Sequence, residues 1–223
     1  MGNANPISKG FPSVLAVLDR VQLTVRQVSK DVTLWPLVLP GDGRVGGEPE
    51  LWPLEEALED GFVGVAGDAE GGLVRLESRA PAPVWVPAGE RLGGAGYAAE
   101  SRILVPHAVT AVRARGGEAP CARCCRALAT NFHAVDDQVG FVVSVQDRAV
   151  GLELALPAGL LARRFGRRVE AWAPWLLALE DSGEAEGLDS PEALLAAVRA
   201  GRRLGGRARA EIVSGDPRVA FTM

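Results

Sequence analysis

The chain lacks the composition and the long apolar segments that several large classes of protein require. Its formal net charge is −4 at pH 7, which argues against a general nucleic-acid binder, because such proteins need a basic face that displaces counterions from phosphates. No apolar run reaches the roughly 20 residues of a membrane-spanning helix, and residues 1–10 contain no apolar stretch followed by a secretory cleavage site. We therefore expect a soluble, cytoplasmic protein with no nucleic acid and no membrane among its partners.

Residues suited to metal binding and nucleophilic catalysis are also few. The cysteines are Cys121, Cys124 and Cys125, and the histidines are His107 and His133. An odd number of cysteines clustered in one short stretch is typical of a reducing compartment rather than of a disulfide framework. A structural zinc site usually takes two separated pairs of ligands, and the sequence offers no second pair. No Ser-His-Asp arrangement can be assembled, and we expect no cofactor.

The spacing Cys121-Ala-Arg-Cys124-Cys125 leaves three interpretations open. Two sulfurs at Cys-x-x-Cys spacing can reach one zinc ion, with His107 or His133 as a further ligand. Alternatively, Cys121 and Cys124 form a reversible redox pair, whose thiol pKa values the flanking arginines would lower. The default interpretation is that the cysteines are small apolar residues on a packed helix. We assign no metal site and keep Cys121, Cys124, Cys125 and His133 as weak candidates for one.

Apolar patterns and turn residues predict an α+β fold in a single domain. They predict strands at residues 33–39, 62–65, 73–77, 84–86, 103–105, 108–113, 139–145, 149–156 and 219–221. They predict helices at residues 12–20, 54–59, 121–132, 169–179 and about 190–203, and a further helix that begins at residue 157. Strands grouped before helices indicate an antiparallel or mixed β-sheet core with the helices concentrated in the C-terminal half. We expect residues 33–223 to form this domain and residues 1–32 to form an N-terminal helical or extended segment.

The glycine-rich loop at residues 89–96 imitates part of a dinucleotide-binding fingerprint. The glycines of Gly94-Ala-Gly96-x-x-Ala99 would let a backbone approach a pyrophosphate. The helix that should follow must end before Ile103, which is too early for a βαβ unit. A plain flexible loop is therefore the leading interpretation, and a looser phosphate-contacting loop is the alternative.

Arginines and tryptophans concentrate in the predicted C-terminal helices. The arginines are Arg163, Arg164, Arg167 and Arg168. We expect them to form a solvated face paired with Glu170 and Glu180, the alternative being a basic patch for phosphate or an acidic partner. Trp172 and Trp175 share a helix face, where they either pack in the core or form a contact between subunits. Pro174 should kink or break the helix that carries them.

Several short stretches, in the same order along the chain, resemble one protein family. They are Leu-Trp-Pro-Leu at 34–37, Leu-Glu-Glu-Ala-Leu-Glu-Asp-Gly at 54–61, Val-Trp-Val-Pro-Ala-Gly-Glu-Arg-Leu-Gly-Gly at 84–94, Arg-Ile-Leu at 102–104, Cys-Ala-Arg-Cys-Cys-Arg at 121–126 and the predicted hairpin at 139–154. Over residues 33–179 the pattern resembles the ARPP domain family, named for its association with ADP-ribosylglycohydrolases and rhodanese-like phosphatases. The resemblance implies an α+β domain linked by gene context to NAD and ADP-ribose metabolism.

The resemblance also implies which residues would meet a nucleotide-type small molecule such as ADP-ribose. The family's Gly-Glu…Gly loop falls on Gly89, Glu90 and Gly94, and its basic residue after that loop falls on Arg102. Glu90 would be the catalytic carboxylate, acting on a ribose hydroxyl or in proton transfer. Backbone amides and guanidinium groups would hold the phosphate, supplied by Gly93, Gly94, Gly96, Arg102 and Arg126.

The chain departs from the family pattern within its Cys-x-Glu-x-x-Arg-Trp-like motif, which falls on residues 121–127. The family's acid is replaced by Arg123, and its aromatic residue is replaced by Ala127. The alternative to a nucleotide-binding domain is therefore a non-catalytic interaction module that forms a homodimer, in which the altered positions reflect lost chemistry.

Overall fold

The computed structural model gives an α+β domain and describes most of the chain. The described residues are 14–41, 51–66, 72–92, 96–115, 121–156, 158–182, 186–200, 202, 204, 208–213 and 220–222. The helices are α1 (Val14–Leu18), α2 (Leu54–Glu59), α3 (Ala122–Ala129), α4 (Ala158–Ser182) and α5 (Pro191–Arg199). The strands are β1 (Gln22–Leu23), β2 (Gln27–Ser29), β3 (Val32–Val38), β4 (Trp52–Pro53), β5 (Val63–Ala66), β6 (Leu73–Ser78), β7 (Val84–Val86), β8 (Tyr97–Ala98), β9 (Arg102–Leu104), β10 (Val109–Arg115), β11 (Gln138–Val145), β12 (Arg148–Ala155), β13 (Arg209–Val213) and β14 (Ala220–Thr222). The predicted fold class, with mixed sheets and helices mainly in the C-terminal half, is confirmed.

A seven-stranded mixed sheet forms the centre of the fold. Its strand order is β1-β3-β11-β12-β13-β14, and β2 also pairs with β3. Only β12 and β13 pair in parallel, whereas the other pairs in this sheet are antiparallel. The turn between β11 and β12 places both Gln146 and Asp147 at positive φ, as the tightest hairpin turns require. The hairpin predicted from the sequence is therefore confirmed.

Helices cover both faces of this sheet. The central strand β11 therefore has apolar side chains on both of its faces. Phe141 and Val143 belong to the apolar cluster that includes the inner faces of α3 and α4. Val139 and Val142 belong to the cluster on the opposite side, which includes α1 and α5. A strand that is buried on both sides reads in the sequence as one continuous apolar run.

α4 is one continuous helix that contains Pro174. The prediction of one helix from residue 157 and a second at residues 169–179 is therefore wrong, and Pro174 does not break the helix. Its buried stripe continues on both sides of the proline, and includes Phe165, Val169, Trp172 and Leu176. Packing of this stripe against the sheet offsets the roughly 3 kcal/mol that a proline costs in a helix interior. Tertiary contacts thus decide the length of this helix.

Trp172 is a core residue, with only 3% of its surface exposed. It packs edge-on against Phe141 of the central sheet. Trp175 is half-buried beside it, with the two indole centroids 5.6 Å apart. The sequence alternative of core packing is thus correct for Trp172, and the contact between subunits that was considered for this side chain is wrong.

The arginines of α4 form the expected solvated face only in part: Arg163 and Arg167 are exposed. Arg164 and Arg167 form ion pairs with the first turn of α2, where Glu55 and Glu56 lie. Arg168 is buried. The expected pairing with acidic residues of the same helix is wrong for these three, because α4 lies between α2 and the central sheet.

Two smaller sheets surround a second apolar core. They have the orders β5-β6-β10-β8 and β4-β7-β9, and their buried side chains pack together with those of α2. The chain leaves β7 through the turn that carries Glu90, and β9 begins at Arg102. These sheets therefore position Glu90 and Arg102, two of the residues that the family resemblance singled out.

The C-terminal part contains one confirmed helix and one strand that the sequence patterns did not predict. α5 begins at Pro191, and Ser190 caps it by accepting a hydrogen bond from the backbone N–H of Ala193 at 3.1 Å. The unpredicted strand is β13, in which Glu211 lies beside Glu153 of β12. Among the described residues, no helix combines the length and the apolar character needed to cross a membrane.

Candidate functional site

The thiols of Cys121 and Cys124 lie side by side at the exposed N-terminus of α3. Cys121 caps the helix, and its Sγ accepts a hydrogen bond from the backbone N–H of Cys124 at 3.3 Å. The Cys124 thiol donates to Cys121 Sγ, with 2.6 Å between the sulfur atoms. Cys125 and Leu128 are buried in the core beneath α3, which fixes the helix with the other two cysteines outward. Packing as small apolar residues is therefore correct only for Cys125.

The contact between the two exposed sulfurs makes their acidities unequal. The hydrogen bond from the Cys124 thiol lowers the pKa of Cys121, and the backbone N–H of Cys124 lowers it further. The same bond raises the pKa of Cys124, to which burial and the charge of Cys121 also contribute. The thiolate is the reactive form of cysteine, and these shifts make Cys121 the more acidic thiol of the two.

Positive charges of Lys30 and Arg123 act on the thiol of Cys124. Both charges act to lower the pKa of Cys124, against the larger effects that raise it. Lys30 lies in the turn between β2 and β3 at a φ of 52°. That turn is held against α3 by a hydrogen bond of 2.9 Å from Asn131 Nδ2 to Ser29 Oγ. The sequence did not predict that Lys30 lies near Cys124, because its position depends on this contact between distant parts of the chain.

The weak candidates for a metal site are engaged in other ways. Burial raises the pKa of Cys125, and the charge of Glu170 raises it further. His133 is held through its backbone: its N–H donates to Gln27 Oε1 and its carbonyl accepts from Gln27 Nε2, both at 2.8 Å. Within the part of the chain that the structure describes, no group of three or more His, Cys, Asp or Glu side chains is placed to hold a metal ion.

A groove of about 370 Å³ lies along the outer face of α3. Its lining residues are Ala122, Arg123, Arg126, Ala127 and Thr130. Arg123, Ala127 and Thr130 share one helix face, since residues three and four apart are neighbours on a helix surface. Over the described residues, neither Arg123 nor Arg126 forms an ion pair with a carboxylate. We call this surface the arginine groove.

Glu90 lies in a half-buried turn that packs against α4. The turn is closed by hydrogen bonds of 2.8 Å from the Gly89 N–H to the Ala98 carbonyl and from the Ala98 N–H to the Glu90 carbonyl. Gly89 has a φ of 80°, and a Cβ at this position would lie 3.3 Å from Ala171 of α4, so the turn favours glycine. The carboxylate charge of Glu90 helps to raise the pKa of the buried Arg168. The structure thus brings Glu90 to a buried cation that the sequence did not assign to a site.

Arg168 is the centre of a buried network of charges. Its Nε and Nη2 donate to the two carboxylate oxygens of Glu153 at 2.7 and 2.9 Å, and Nη2 also donates to Glu211 at 3.1 Å. Burial alone would lower the pKa of Arg168, but the charges of Glu153 and then Glu211 outweigh it and hold that pKa above its ordinary value. Burial raises the pKa of Glu211, against the charges of Arg168 and Arg209.

The network continues into the β7–β9 region and is hydrogen-bonded throughout. Ser101 Oγ donates to Glu211 at 3.0 Å and accepts from the Ala88 N–H at 3.1 Å. Arg168 Nη1 donates to the Ala88 carbonyl at 3.1 Å, and the indole N–H of Trp172 donates to Glu153. The network therefore ties α4 and the central sheet to the segment that carries Glu90. One indication of this buried network was present in the sequence, namely the carboxylate of Glu153 among the apolar residues of β12.

The remaining loop residues of the expected nucleotide site are only partly described. The Gly96 carbonyl accepts a hydrogen bond from the Leu92 N–H at 2.8 Å, and Gly96 has a φ of 100°. Gly93 and Gly94 lie outside the described residues. The loop is therefore closed at Leu92 and Gly96.

The two expected phosphate-binding arginines lie on different elements. Arg102 begins β9, is exposed, and pairs with Glu100 at 2.5 Å. Arg126 lines the arginine groove on α3. No hydrogen bond or ion pair within the described ranges joins Glu90 to either of them. Arg126 therefore lies on α3, whereas Glu90 is associated with Arg168.

Comparison of the chain with models of protein families, with curated proteins and with solved structures gives no match in any of the three. The geometry of the sites described above is therefore the basis on which a function has to be argued.

Proposed function

We propose that the protein carries out thiol–disulfide exchange, with Cys121 as the nucleophile and Cys124 as the resolving thiol. The observation that carries this proposal is the placement of two exposed sulfur atoms 2.6 Å apart at the start of a helix. A Cys-x-x-Cys pair at a helix N-terminus has its nucleophilic thiolate stabilised by backbone N–H groups and by the helix dipole. The positive charges of Lys30 and Arg123 favour ionisation of the resolving thiol, Cys124.

The reaction transfers two electrons to a disulfide substrate. The Cys121 thiolate attacks one sulfur of the substrate, whose other sulfur leaves as a thiolate and takes a proton from solvent. The Cys124 thiol then loses its proton to solvent and attacks Cys121 Sγ, which releases the second substrate thiol. The substrate is reduced to two thiols, and the protein is oxidised to a Cys121–Cys124 disulfide. An external dithiol reverses the oxidation by the same steps.

A redox titration tests this function on the intact chain. The protein is equilibrated with mixtures of reduced and oxidised dithiothreitol, free thiols are alkylated in acid-quenched samples, and the products are counted by mass spectrometry. We expect two thiols to disappear together in a two-electron transition. Cys121→Ser and Cys124→Ser should each abolish the intramolecular disulfide, whereas the matched control Cys125→Ser should retain it.

The single-cysteine variants also separate the two roles. Cys124→Ser should accumulate a mixed disulfide on Cys121, because the resolving thiol is missing. Cys121→Ser should react more slowly than the wild type, because it lacks the thiol whose pKa is lowered. Equal alkylation of all three cysteines at every potential would contradict the proposal, and so would a disulfide that involves Cys125.

The nucleotide-type ligand implied by the ARPP resemblance, ADP-ribose or NAD-linked, stays a prediction. Thermal denaturation with millimolar ADP-ribose and NAD tests it, and an unchanged melting temperature would count against it. The homodimer likewise stays a prediction, which light scattering on the purified chain tests.

A further inference from the structure

We infer that the disulfide exchanged at Cys121 belongs to an acidic polypeptide segment, which the positive charges of Lys30 and Arg123 attract; this inference rests on the exchange function proposed above. Two observations carry it. The two thiols lie on an open surface, and cations from two separate elements act on Cys124.

The surface around the thiols is open rather than concave. Cys121, Cys124 and the two residues between them are all exposed, and neither thiol lines the arginine groove. A small-molecule site buries roughly 70–90% of its ligand in a cleft, whereas a protein partner binds to an exposed face. The open surface therefore favours a polypeptide as the molecule that carries the disulfide.

Lys30 is fixed relative to α3 although it comes from a distant part of the chain. It lies in the β2–β3 turn, where Ser29 beside it accepts a hydrogen bond of 2.9 Å from Asn131 Nδ2. Gln27 of the same hairpin exchanges two hydrogen bonds of 2.8 Å with the backbone of His133. These three bonds hold the turn against the segment that follows α3, so the charge of Lys30 stays near the resolving thiol.

The local charge is positive although the chain as a whole is acidic. Lys30 and Arg123 form no ion pair within the part of the chain that the structure describes, and the positive end of the α3 dipole adds to their charge. The carboxylate of Glu170, on the neighbouring α4, acts on the buried Cys125. The formal net charge of −4 would repel an acidic partner, so any preference for acidic segments has to come from the local cations. Such charges raise the rate of encounter with a complementary partner.

The test measures how fast a mixed disulfide forms on Cys121 in the Cys124→Ser protein, in which the resolving step is absent. The probes are three symmetric peptide disulfides that differ only in the residues beside the cysteine, which are glutamate, glutamine or lysine; glutathione disulfide is the small-molecule comparison. Each rate is divided by the rate of the same disulfide with free dithiothreitol, which removes differences in intrinsic reactivity. We expect the acidic peptide to react fastest and the basic peptide slowest, and added salt should reduce the difference.

The matched variants are Lys30→Gln, Arg123→Gln and Arg75→Gln, each made in the Cys124→Ser protein. Arg75 is an exposed arginine of β6 on a different sheet. We expect the ratio of the acidic to the basic rate to fall about two- to fivefold in each of the first two variants, which is the range for an exposed ion pair. A change in the acidity of Cys121 cancels in this ratio, because both rates come from one protein. The ratio should persist in Arg75→Gln.

The outcomes separate the two proposals. If none of the probes forms a mixed disulfide with Cys121, the exchange function itself fails. If the three peptides react at the same relative rate, or if Lys30→Gln and Arg123→Gln both keep the starting ratio, only the inference about the substrate is overturned. A relative rate for glutathione disulfide above that of the acidic peptide would overturn it too. A fall in either variant that Arg75→Gln does not share supports an acidic polypeptide substrate.

Discussion

Replacing Arg168 by methionine tests whether the buried network stabilises the fold. Methionine retains an unbranched apolar stem but leaves Glu153 and Glu211, which are 1% and 3% exposed, without the cation that both contact. Removing one partner of a buried ion pair costs about 3–5 kcal/mol. We expect Arg168→Met to lower the free energy of unfolding by this amount, measured by urea denaturation. That is a large part of the roughly 5–15 kcal/mol by which a domain is stable.

The loss should also depend on pH, in a direction that the pKa of Glu211 fixes. Burial already raises that pKa, and the charge of Arg168 opposes the increase. Without Arg168 the pKa of Glu211 in the folded protein rises further above its unfolded value of about 4.3. A group with a raised folded pKa favours folding below the unfolded pKa and loses this contribution as pH rises through the folded pKa. The deficit of Arg168→Met should therefore be smaller at pH 5 than at pH 8.

Two further variants make the result interpretable. In Arg168→Met/Glu153→Gln the glutamine oxygen can still accept the indole N–H of Trp172, and one uncompensated charge is gone, so part of the stability should return. Arg79→Met removes an ion pair with Glu77 on exposed side chains, and should cost less than about 1 kcal/mol. A loss below about 1 kcal/mol in Arg168→Met, or a loss independent of pH, would refute the reasoning.

Three other expectations follow from the packing and from the thiols. Gly151→Ala should destabilise the fold by about 1–3 kcal/mol, because its Cβ would lie 2.3 Å from Trp172 Cζ3. Gly166→Ala should stabilise the fold by about 0.5–1 kcal/mol, because a Cβ on that exposed turn of α4 would have no neighbouring atom within 4 Å. The midpoint of urea denaturation measures the effect of each of these two glycine variants. Alkylation of Cys121 by iodoacetamide should retain its rate to a lower pH than that of Cys125, because the pKa of Cys121 is lowered and that of Cys125 is raised.

Elements whose signals are local were predictable from the sequence. The helix at Leu54–Glu59 has acidic residues in its first turn, and α5 has its cap and its proline at adjacent positions. The hairpin of β11 and β12 depends only on two apolar runs and the two residues between them. In each case the information lies within about 20 residues, so sequence patterns are sufficient.

Features that depend on contacts between distant parts of the chain were not predictable. β13 carries charges at Arg209 and Glu211 that conceal its strand pattern, and its place in the sheet depends on parallel pairing with β12. The partner of Arg168 lies on another element, so a pattern along α4 alone predicted a solvated face. The site shows the same limit: the spacing of Cys121 and Cys124 suggested a redox pair, but the position of Lys30 beside them depends on β2.

The geometry of the two cysteines favours a role in exchange over a role in stability. A disulfide stabilises a protein mainly by restricting the unfolded chain, and the effect grows with the length of the loop that it closes. A Cys121–Cys124 bond encloses only Ala122 and Arg123, so it restricts the unfolded chain very little. The helix that carries the pair is already held by Cys125, Leu128 and Phe132 in the core, whether the thiols are reduced or oxidised. The fold therefore gains little from oxidation of the pair, and the bond can form and break while the site that it belongs to keeps its shape.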